Sequence, residues 1–518
     1  VASWLLTTLI FFVLIFINLP LKRSQETPYS EVDLSQMSIT EDSEDSYSVP
    51  TEDKKSDHSL MERIFRRIIW ETQEKIVFTY KWWLLVILFG ILIITFFPSF
   101  MTAGVCICDK PYEFSTRFSR MLLDSTCPAG VPCHVYLMHP SSDSMIVIFH
   151  TPDEVSNPSV RFDSVSHEND TGLAGYSQAV SARTHTLDYP GDITRRIHWA
   201  ELTGLSANTV YYFRAGYGTD ASKFSAERKF LTAPSGNEPY VFVTGGDTGI
   251  LEETREIMKV AASLDPLFVM IGGDISYSDD FKTCYRRWDH WIDYWEDHMV
   301  TSQGYTIPMI LSLGNHEGGG FMGNKHHVPF YMHYFIQDFV PQGKSPYDMP
   351  SYNSHLIGNS TLILSLDTNV ISSVTGEQLD WLANQLDTYQ DRKYKFAQYH
   401  APMYPTVRPF DDMQVLRDAW LDLFDSHNMT IGFENHDHTY KRSKILKNNE
   451  VSAPGTLYVG DGCMGLAPRS ASKRWYHEAV AAKVFVLRVA VNDSIIAVDA
   501  YDVNGDIFDS GTQVSSMP

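Results

Sequence analysis

The 518-residue sequence predicts a layered α/β domain, preceded by an all-β sandwich and, ahead of both, two membrane-spanning helices. Three observations predict this. From Tyr240 onward, apolar runs of strand length alternate with stretches of helical period. Between residues 131 and 235, short strands follow one another with turn-rich polar segments between them. Residues 4–20 and 82–100 are almost uninterruptedly apolar, the second run being just long enough to span a bilayer.

The chain begins at Val1 rather than Met, as expected of a fragment or a processed chain. A signal peptide is the competing reading of the first apolar run, but no basic residue precedes it and no small-residue cleavage pattern follows it. Lys22 and Arg23 follow the first run, and Arg63, Arg66, Arg67, Lys75 and Lys81 precede the second. Both clusters flank one loop, so residues 21–81 are expected in the cytosol and everything after Phe100 in a lumen or outside the cell. Trp82 and Trp83 open the second run, as at a membrane interface. The expected layout is therefore a membrane helix over 1–20, a disordered acidic loop over 21–60, an amphipathic juxtamembrane helix over 61–81 and a second membrane helix over 82–100. The loop is rich in Ser, Glu and Asp and too poor in apolar residues to fold. In the amphipathic stretch Met61, Ile64, Phe65, Ile68 and Ile69 recur with arginines between them. The sequence leaves a cytosolic partner for the acidic loop, and a homo-oligomer, open. A formal charge of −22 argues against nucleic acid as a partner, although a local positive site can still hold a phosphate.

All six cysteines, Cys106, Cys108, Cys127, Cys133, Cys284 and Cys463, follow the second apolar run, where oxidation is permitted. The first four lie in a linker over 101–130 and at its end, and are placed to make two bridges, with three pairings open. Four glycan acceptor sequons, at Asn169, Asn359, Asn428 and Asn492, fall on the same side. Within the sandwich region, 145–149, 209–213 and 229–232 are the clearest strands, and Leu205-x-x-x-Thr209-x-Tyr211 has the form of a tyrosine corner. The region 131–235 resembles a fibronectin type III domain, and nothing in it asks for catalysis.

The α/β region, 236–518, delivers polar residues at the ends of successive predicted strands. A strand over 240–244 runs into Asp247. A helix over 252–264 leads to a strand over 267–271, whose paired glycines turn the chain sharply so that Asp274 and Tyr277 stand at its carboxyl edge. A strand over 307–313 runs into Asn315 and His316. After a strand at 361–366 and a helix at 378–386, the strand 395–400 ends on His400, and 429–433 ends just before His436 and His438. The segment 279–297 carries Trp288, Trp291 and Trp295 at helical spacing, read as a packing face. A single Asp or His after a strand is usually a cap or a surface residue. A whole series of oxygen and imidazole donors at consecutive strand ends points instead to a metal centre of the Fe, Zn or Mn type, and the lack of thiolate argues against a Cys-type zinc site.

The series Gly246-Asp-x-Gly249, Gly273-Asp-x-x-Tyr277, Gly314-Asn-His-Glu317, His400 and His436-x-His438 resembles the metallophosphoesterase superfamily, and specifically the purple acid phosphatases. The resemblance covers residues 131 to about 510, since that family also carries a fibronectin-like domain ahead of its catalytic domain. Other metallophosphoesterases carry a histidine where Gly249 stands, and in purple acid phosphatases a tyrosine replaces that missing ligand. The resemblance implies a four-layer fold, two β-sheets sandwiched and flanked by helices. It implies a ferric site of Asp247, Tyr277 and His438, and a divalent site (Fe, Zn or Mn) of Asn315, His400 and His436, with Asp274 bridging the two. It further implies attack on a phosphate monoester by metal-bound hydroxide, with His316 assisting charge development or leaving-group protonation.

Two departures from the family pattern stand out. Asn435 occupies the usual glycine position before the final His-x-His, and asparagine can also adopt the left-handed conformation, which would let the turn survive. The segment 401–410 lacks a further histidine that many relatives place against substrate, with Arg408 or Tyr404 as alternatives that serve equally as packing or surface residues. A phosphodiesterase or nucleotide pyrophosphatase with the same metals, and a non-catalytic interaction protein, are the competing functions.

Overall fold

The computed structural model describes residues 88–90, 127–170, 172–189 and 193–514. Among these residues no helix is long and apolar enough to cross a membrane. The expected membrane helices, acidic loop and juxtamembrane helix lie outside the described residues, apart from a helical stretch at 88–90.

The β-domain is built from β1 (Cys133–Met138), β2 (Ser144–Thr151), β3 (Pro158–Asp163), β4 (Gln178–Ser181), β5 (Arg183–Tyr189), β6 (Ile193–Thr203), β7 (Val210–Tyr217) and β8 (Arg228–Leu231). One face runs β5-β6-β2-β1 and the other β4-β3-β7-β8. Val135, Leu137, Met145, Val147 and Phe149 meet Val160, Phe162, Phe213, Ala215 and Phe230 between them. The intervening residues Tyr136, Met138, Ile146 and Ile148 belong to a different core, shared with the next domain. Strand β2 is thus buried on both faces, which is why its sequence is a continuous apolar run rather than an alternation. The expected tyrosine corner is present: the Ser206 amide donates to the Tyr211 hydroxyl at 2.9 Å.

The second domain comprises β9 (Tyr240–Gly245), α1 (Glu252–Ser263), β10 (Val269–Ile271), α2 (Tyr285–His298), β11 (Met309–Leu311), α3 (Tyr331–Tyr334), β12 (Asn353–Ile357), β13 (Thr361–Ser365), α4 (Glu377–Thr388), β14 (Tyr394–Gln398), α5 (Gln414–Ser426), β15 (Ile431–Glu434), β16 (Tyr440–Lys447), β17 (Glu450–Val451), β18 (Thr456–Gly460), β19 (His477–Ala481), β20 (Phe485–Val491), β21 (Ile495–Asp502) and β22 (Ile507–Val514). One sheet is ordered β22-β21-β20-β9-β10-β11 and continues through a parallel β11–β1 pairing, at Met138 and Met309, into the β-domain. The other is ordered β12-β13-β14-β15-β18-β16-β17, with β19 on β16. Phe242, Met270 and Ile310 of the first sheet pack on Ile363, Phe396, Ile431 and Phe433 of the second. Helices α1 and α2 cover the outer face of one sheet through Ile257, Met258, Trp288, Trp291 and Trp295. Helices α4 and α5 cover the other through Leu382, Leu386, Leu416, Trp420 and Phe424. This is the four-layer α/β arrangement expected.

Strands β10 and β11 have three residues each, shorter than their apolar runs, because the chain leaves the ladder early to form the loops that follow. Cys127 and Cys133 are joined by a disulfide, so two of the four clustered cysteines pair with each other. Cys284, outside the expected cluster, is also disulfide-bonded, whereas Cys463 is a free, buried thiol.

Candidate metal centre

The parallel strands β9, β10 and β11 of one sheet and β14 and β15 of the other deliver their carboxyl ends to one place. The seven donor residues expected from the sequence meet there in two groups. Asp247 Oδ1 lies 3.1 Å from His438 Nε2 and 3.3 Å from the Tyr277 hydroxyl, which is 3.2 Å from the same His438 nitrogen. His400 Nε2 lies 3.0 Å from Asn315 Oδ1 and 3.0 Å from His436 Nδ1. Asp274 stands between the groups, its Oδ2 3.2 Å from His400 Nε2. Asp274, His400 and His436, and separately Asp247, Asp274 and His438, place their donor atoms within 4.8 Å of one another.

The backbone at these positions is unusual. Asp247, Asp274, Tyr277, His436 and His438 all have positive φ, a region that residues other than glycine, and bulky ones above all, enter at a cost. Asn435 does not share it: the left-handed residues of this turn are His436, at φ 82°, and His438, at φ 56°. The expectation for Asn435 is thereby corrected. Its side chain instead lies against Gly246 and Gly272 and donates from Nδ2 to the Tyr399 carbonyl at 2.9 Å. Gly249 also has positive φ, at 63°, and a Cβ on it would lie 3.8 Å from Tyr277 Cδ2, so the glycine and the tyrosine are spatial neighbours.

The donor set fits a pair of cations. The Gly272 carbonyl, 2.9 Å from His400 Nδ1, can only accept a hydrogen bond from an N–H there, which leaves Nε2 facing Asn315 and Asp274. Asp274 Oδ1 accepts from the His316 amide at 2.7 Å, but its buried Oδ2 has no hydrogen-bond partner. Such an orphaned carboxylate oxygen is expensive without a compensating charge. Donors about 2.0–2.2 Å from a shared ion stand roughly 2.8–3.6 Å from each other, the spacing seen in both groups. Burial, with the Asp247 and Asp274 carboxylates, pushes the Tyr277 phenol well above its ordinary range, so an ionised tyrosine at this position requires a cation.

Several contributors were not singled out in the sequence. Glu317, 2% exposed, accepts the amides of Asp274 at 2.9 Å, Ile275 at 2.7 Å and Gly314 at 2.8 Å. It ties the loop after β10 to the loop after β11. Burial and the Asp274 carboxylate push Glu317 up to about 8, against the pull of those amides. Asp279 contacts His316 Nδ1 and so fixes the ring that packs, tilted, against Tyr277 at 4.3 Å between centroids. Asp437, between the two histidines, accepts the amides of Thr406 and Val407 at 2.8 and 2.6 Å and pairs with Arg408. Arg408 also donates to the His436 carbonyl at 2.9 Å, placing this cation at the rim of the centre. Tyr404, the other alternative, is buried in the α4–α5 core and donates to Asn449 Oδ1 at 2.9 Å, a packing role. The tryptophans of α2 support the floor: Trp288 Nε1 donates to Ser278 Oγ at 3.0 Å and Trp291 Nε1 to Thr248 Oγ1 at 2.9 Å.

Comparison with known proteins agrees with this geometry. Residues 132–232 match the family profile "Purple acid Phosphatase, N-terminal domain", and residues 238–440 match "Calcineurin-like phosphoesterase". Purple acid phosphatase 15 of Arabidopsis thaliana is 27% identical over 330 residues, covering 58% of this chain and 59% of that protein. An uncharacterized protein of Mycobacterium tuberculosis is 27% identical over 351 residues, covering 61% of this chain and 62% of that one. The chain thus spans about three fifths of the length of these relatives. Among solved structures, a purple acid phosphatase from yellow lupin (Lupinus luteus) seeds superimposes with a TM-score of 0.60 at 17% identity, covering 74% of each chain. PhoD superimposes with a TM-score of 0.54 at 14% identity, covering 76% of this chain and 92% of that one. Both show the same fold. With its N-terminal β-domain and its calcineurin-like domain matched in order, the chain belongs to the purple acid phosphatase family, a family of phosphoester hydrolases built on a dinuclear metal centre.

Proposed function

We propose that this chain is an acid phosphatase that hydrolyses phosphate monoesters at a dinuclear centre. The observation that carries the reading is the convergence of two donor groups on Asp274, whose buried Oδ2 has no hydrogen-bond partner. In this reading Asp247, Tyr277 and His438 hold ferric iron, Asn315, His400 and His436 hold a divalent Fe, Zn or Mn ion, and Asp274 serves both. Phenolate and carboxylate are hard anions suited to the higher charge, whereas amide and imidazole are neutral. When bound, such a pair supplies a water acidified enough to act as nucleophile and neutralises the phosphoryl oxygens.

The chain's own residues do the rest. Glu317 and the Gly272 carbonyl orient the donors. His316 is held by Asp279 with Nε2 3.9 Å from Asp274 Oδ2, a position from which a proton can pass to the leaving alkoxide. Arg408, anchored on Asp437, contributes positive charge for an incoming phosphate in a protein whose net charge is −22. For the whole protein we propose a β-domain over 131–235 carrying a catalytic domain over 236–518, held by two N-terminal membrane helices on the luminal or outer face. The apolar runs at 4–20 and 82–100 and the exposure of Asn169, Asn359, Asn428 and Asn492 support that placement.

The test is an assay of the full chain on p-nitrophenyl phosphate beside bis(p-nitrophenyl) phosphate across pH, with Asp274→Ala and Asn315→Ala as controls. Preferred cleavage of the monoester, lost in both variants, is expected. Hydrolysis unaffected by either substitution would sink the two-metal mechanism, and preferred cleavage of the diester would replace the substrate class. Glycan on Asn169 is expected if the domain is luminal or extracellular.

A further inference from the structure

A second cluster of metal-type donors lies on the seam between the β-domain and the catalytic domain, built by His134 on β1 and by Asp289, Asp293 and Glu296 on α2. The three acidic residues fall at i, i+4 and i+7 of the helix, so they share one face. His134 is 1% exposed, has φ 52°, and neither of its ring nitrogens makes a hydrogen bond. Nε2 stands 3.2 Å from Asp289 Oδ1, while Nδ1 faces Asp293 Oδ1 at 3.4 Å and Glu296 Oε2 at 3.8 Å. The His134 nitrogen and the Asp293 and Glu296 oxygens lie within 4.8 Å of one another.

We propose that His134 Nδ1, Asp293 and Glu296 form a binding site for a divalent transition-metal ion, of which Zn²⁺ is the best match, separate from the phosphatase centre. One imidazole and two carboxylates are donors that zinc accepts, with neighbouring donor atoms roughly 3.3 Å apart around a tetrahedral ion. The surroundings have the second layer such sites need. Asp289 faces the far nitrogen of the ring at 3.2 Å and is itself held by Arg195 at 2.9 Å, the place from which a carboxylate can orient a metal-binding imidazole. Glu296 is oriented through its other oxygen, which accepts from the Val135 amide at 2.9 Å and Arg228 at 2.6 Å, leaving Oε2 toward His134. There is also an entry path: Asp293 and Glu296 line an open cleft of about 510 Å³ together with Glu227 and Asp297. Asp289, Asp293 and Glu296 surround the buried ring, so the pocket favours positive charge. A bound ion would clamp β1 to α2.

The test is zinc content of the full chain by mass spectrometry after equilibration with Zn²⁺ and gel filtration, beside Asp293→Asn/Glu296→Gln. The double variant is expected to hold one equivalent less zinc while keeping its phosphatase rate, because neither residue touches the catalytic centre. Asp293→Asn alone, whose carboxylate is 27% exposed, is expected to weaken zinc binding here at least tenfold without lowering the melting temperature of the chelated protein. Equal zinc in wild type and double variant overturns the site. So does a variant that loses zinc only together with its activity.

Discussion

The side chain of Asn435 occupies the volume that any side chain on Gly272 would need: a Cβ built there would lie 1.8 Å from Asn435 Nδ2. The same amide crowds Gly246, where a Cβ would lie 2.3 Å from Asn435 Oδ1. Asn435 therefore wedges between the turns after β9 and β10, and the two glycines are the counterpart of the asparagine. Gly272→Ala is expected to overpack this contact, destabilising the protein by about 1–3 kcal/mol and displacing the Asp274 loop, with loss of metal and activity. Adding Asn435→Gly to Gly272→Ala should restore part of both. A double variant no better than Gly272→Ala in melting temperature and metal content would show that the two positions are not coupled.

What the sequence made legible followed from pattern. Asp247, Asp274, Asn315, His400 and His436 each follow a recognisable apolar strand, and a parallel α/β arrangement leaves its strand ends at one edge, so their meeting could be foreseen. Glu317 and Asp437 carry no such signal, because a residue that accepts backbone amides from other loops leaves no periodic trace. Asn435 shows that the turn tolerates asparagine, not which of its residues carries positive φ, and that role falls to His436 and His438. Strands β16 to β22 and helix α5 carry no motif that marks them, although β21 alternates buried and half-buried positions throughout.

Glu317 offers the next prediction. Two of its amide donors, from Asp274 and Gly314, share Oε2, and the third, from Ile275, uses Oε1. Glu317→Gln preserves size but turns one of those acceptors into a donor that faces an N–H. The buried mismatch is expected to cost about 1–3 kcal/mol of stability and, by loosening Asp274, about 10–100-fold in metal affinity or activity. Metal content and kcat/KM measured together check this, and a variant with unchanged values for both would remove Glu317 from the positioning of the centre.

Tyr277→Phe separates packing from ligation. The ring packs, tilted, against His316 at 4.3 Å and is almost fully buried, so phenylalanine keeps the contact and loses only the hydroxyl that faces Asp247 and His438. The purified protein is expected to lose the visible band of an iron–phenolate pair and to bind iron more weakly, while His436 and His400 remain in place. Absorption spectra and iron analysis of wild type and variant decide it. A wild-type band unchanged by the substitution would mean that Tyr277 is not the chromophore.

Asp509 supplies a prediction independent of any metal. From the edge strand β22 it accepts from Arg442 Nε at 2.7 Å and Nη2 at 3.0 Å, and from the Tyr440 hydroxyl, both residues belonging to β16 of the other sheet. Burial tends to raise its carboxyl, but these donors outweigh burial and hold it below the ordinary value of 3.8. A carboxylate lowered in the native state contributes stability that is fully present above the unfolded value and is lost as the pH falls through the native one. Asp509→Asn is therefore expected to lower the melting temperature at pH 7, by an amount equivalent to about 1 kcal/mol for a bidentate pair with both side chains 19% exposed. Around pH 3.8 the gap between wild type and variant should begin to narrow, and it closes as the pH falls through the lower native value, where the folded wild-type carboxyl takes up its proton. Thermal unfolding of the chelated proteins from pH 7 down to pH 3 measures the gap directly. A gap that stays constant over that range would show that Asp509 joins the two sheets through size and hydrogen bonding alone, with no contribution from its charge.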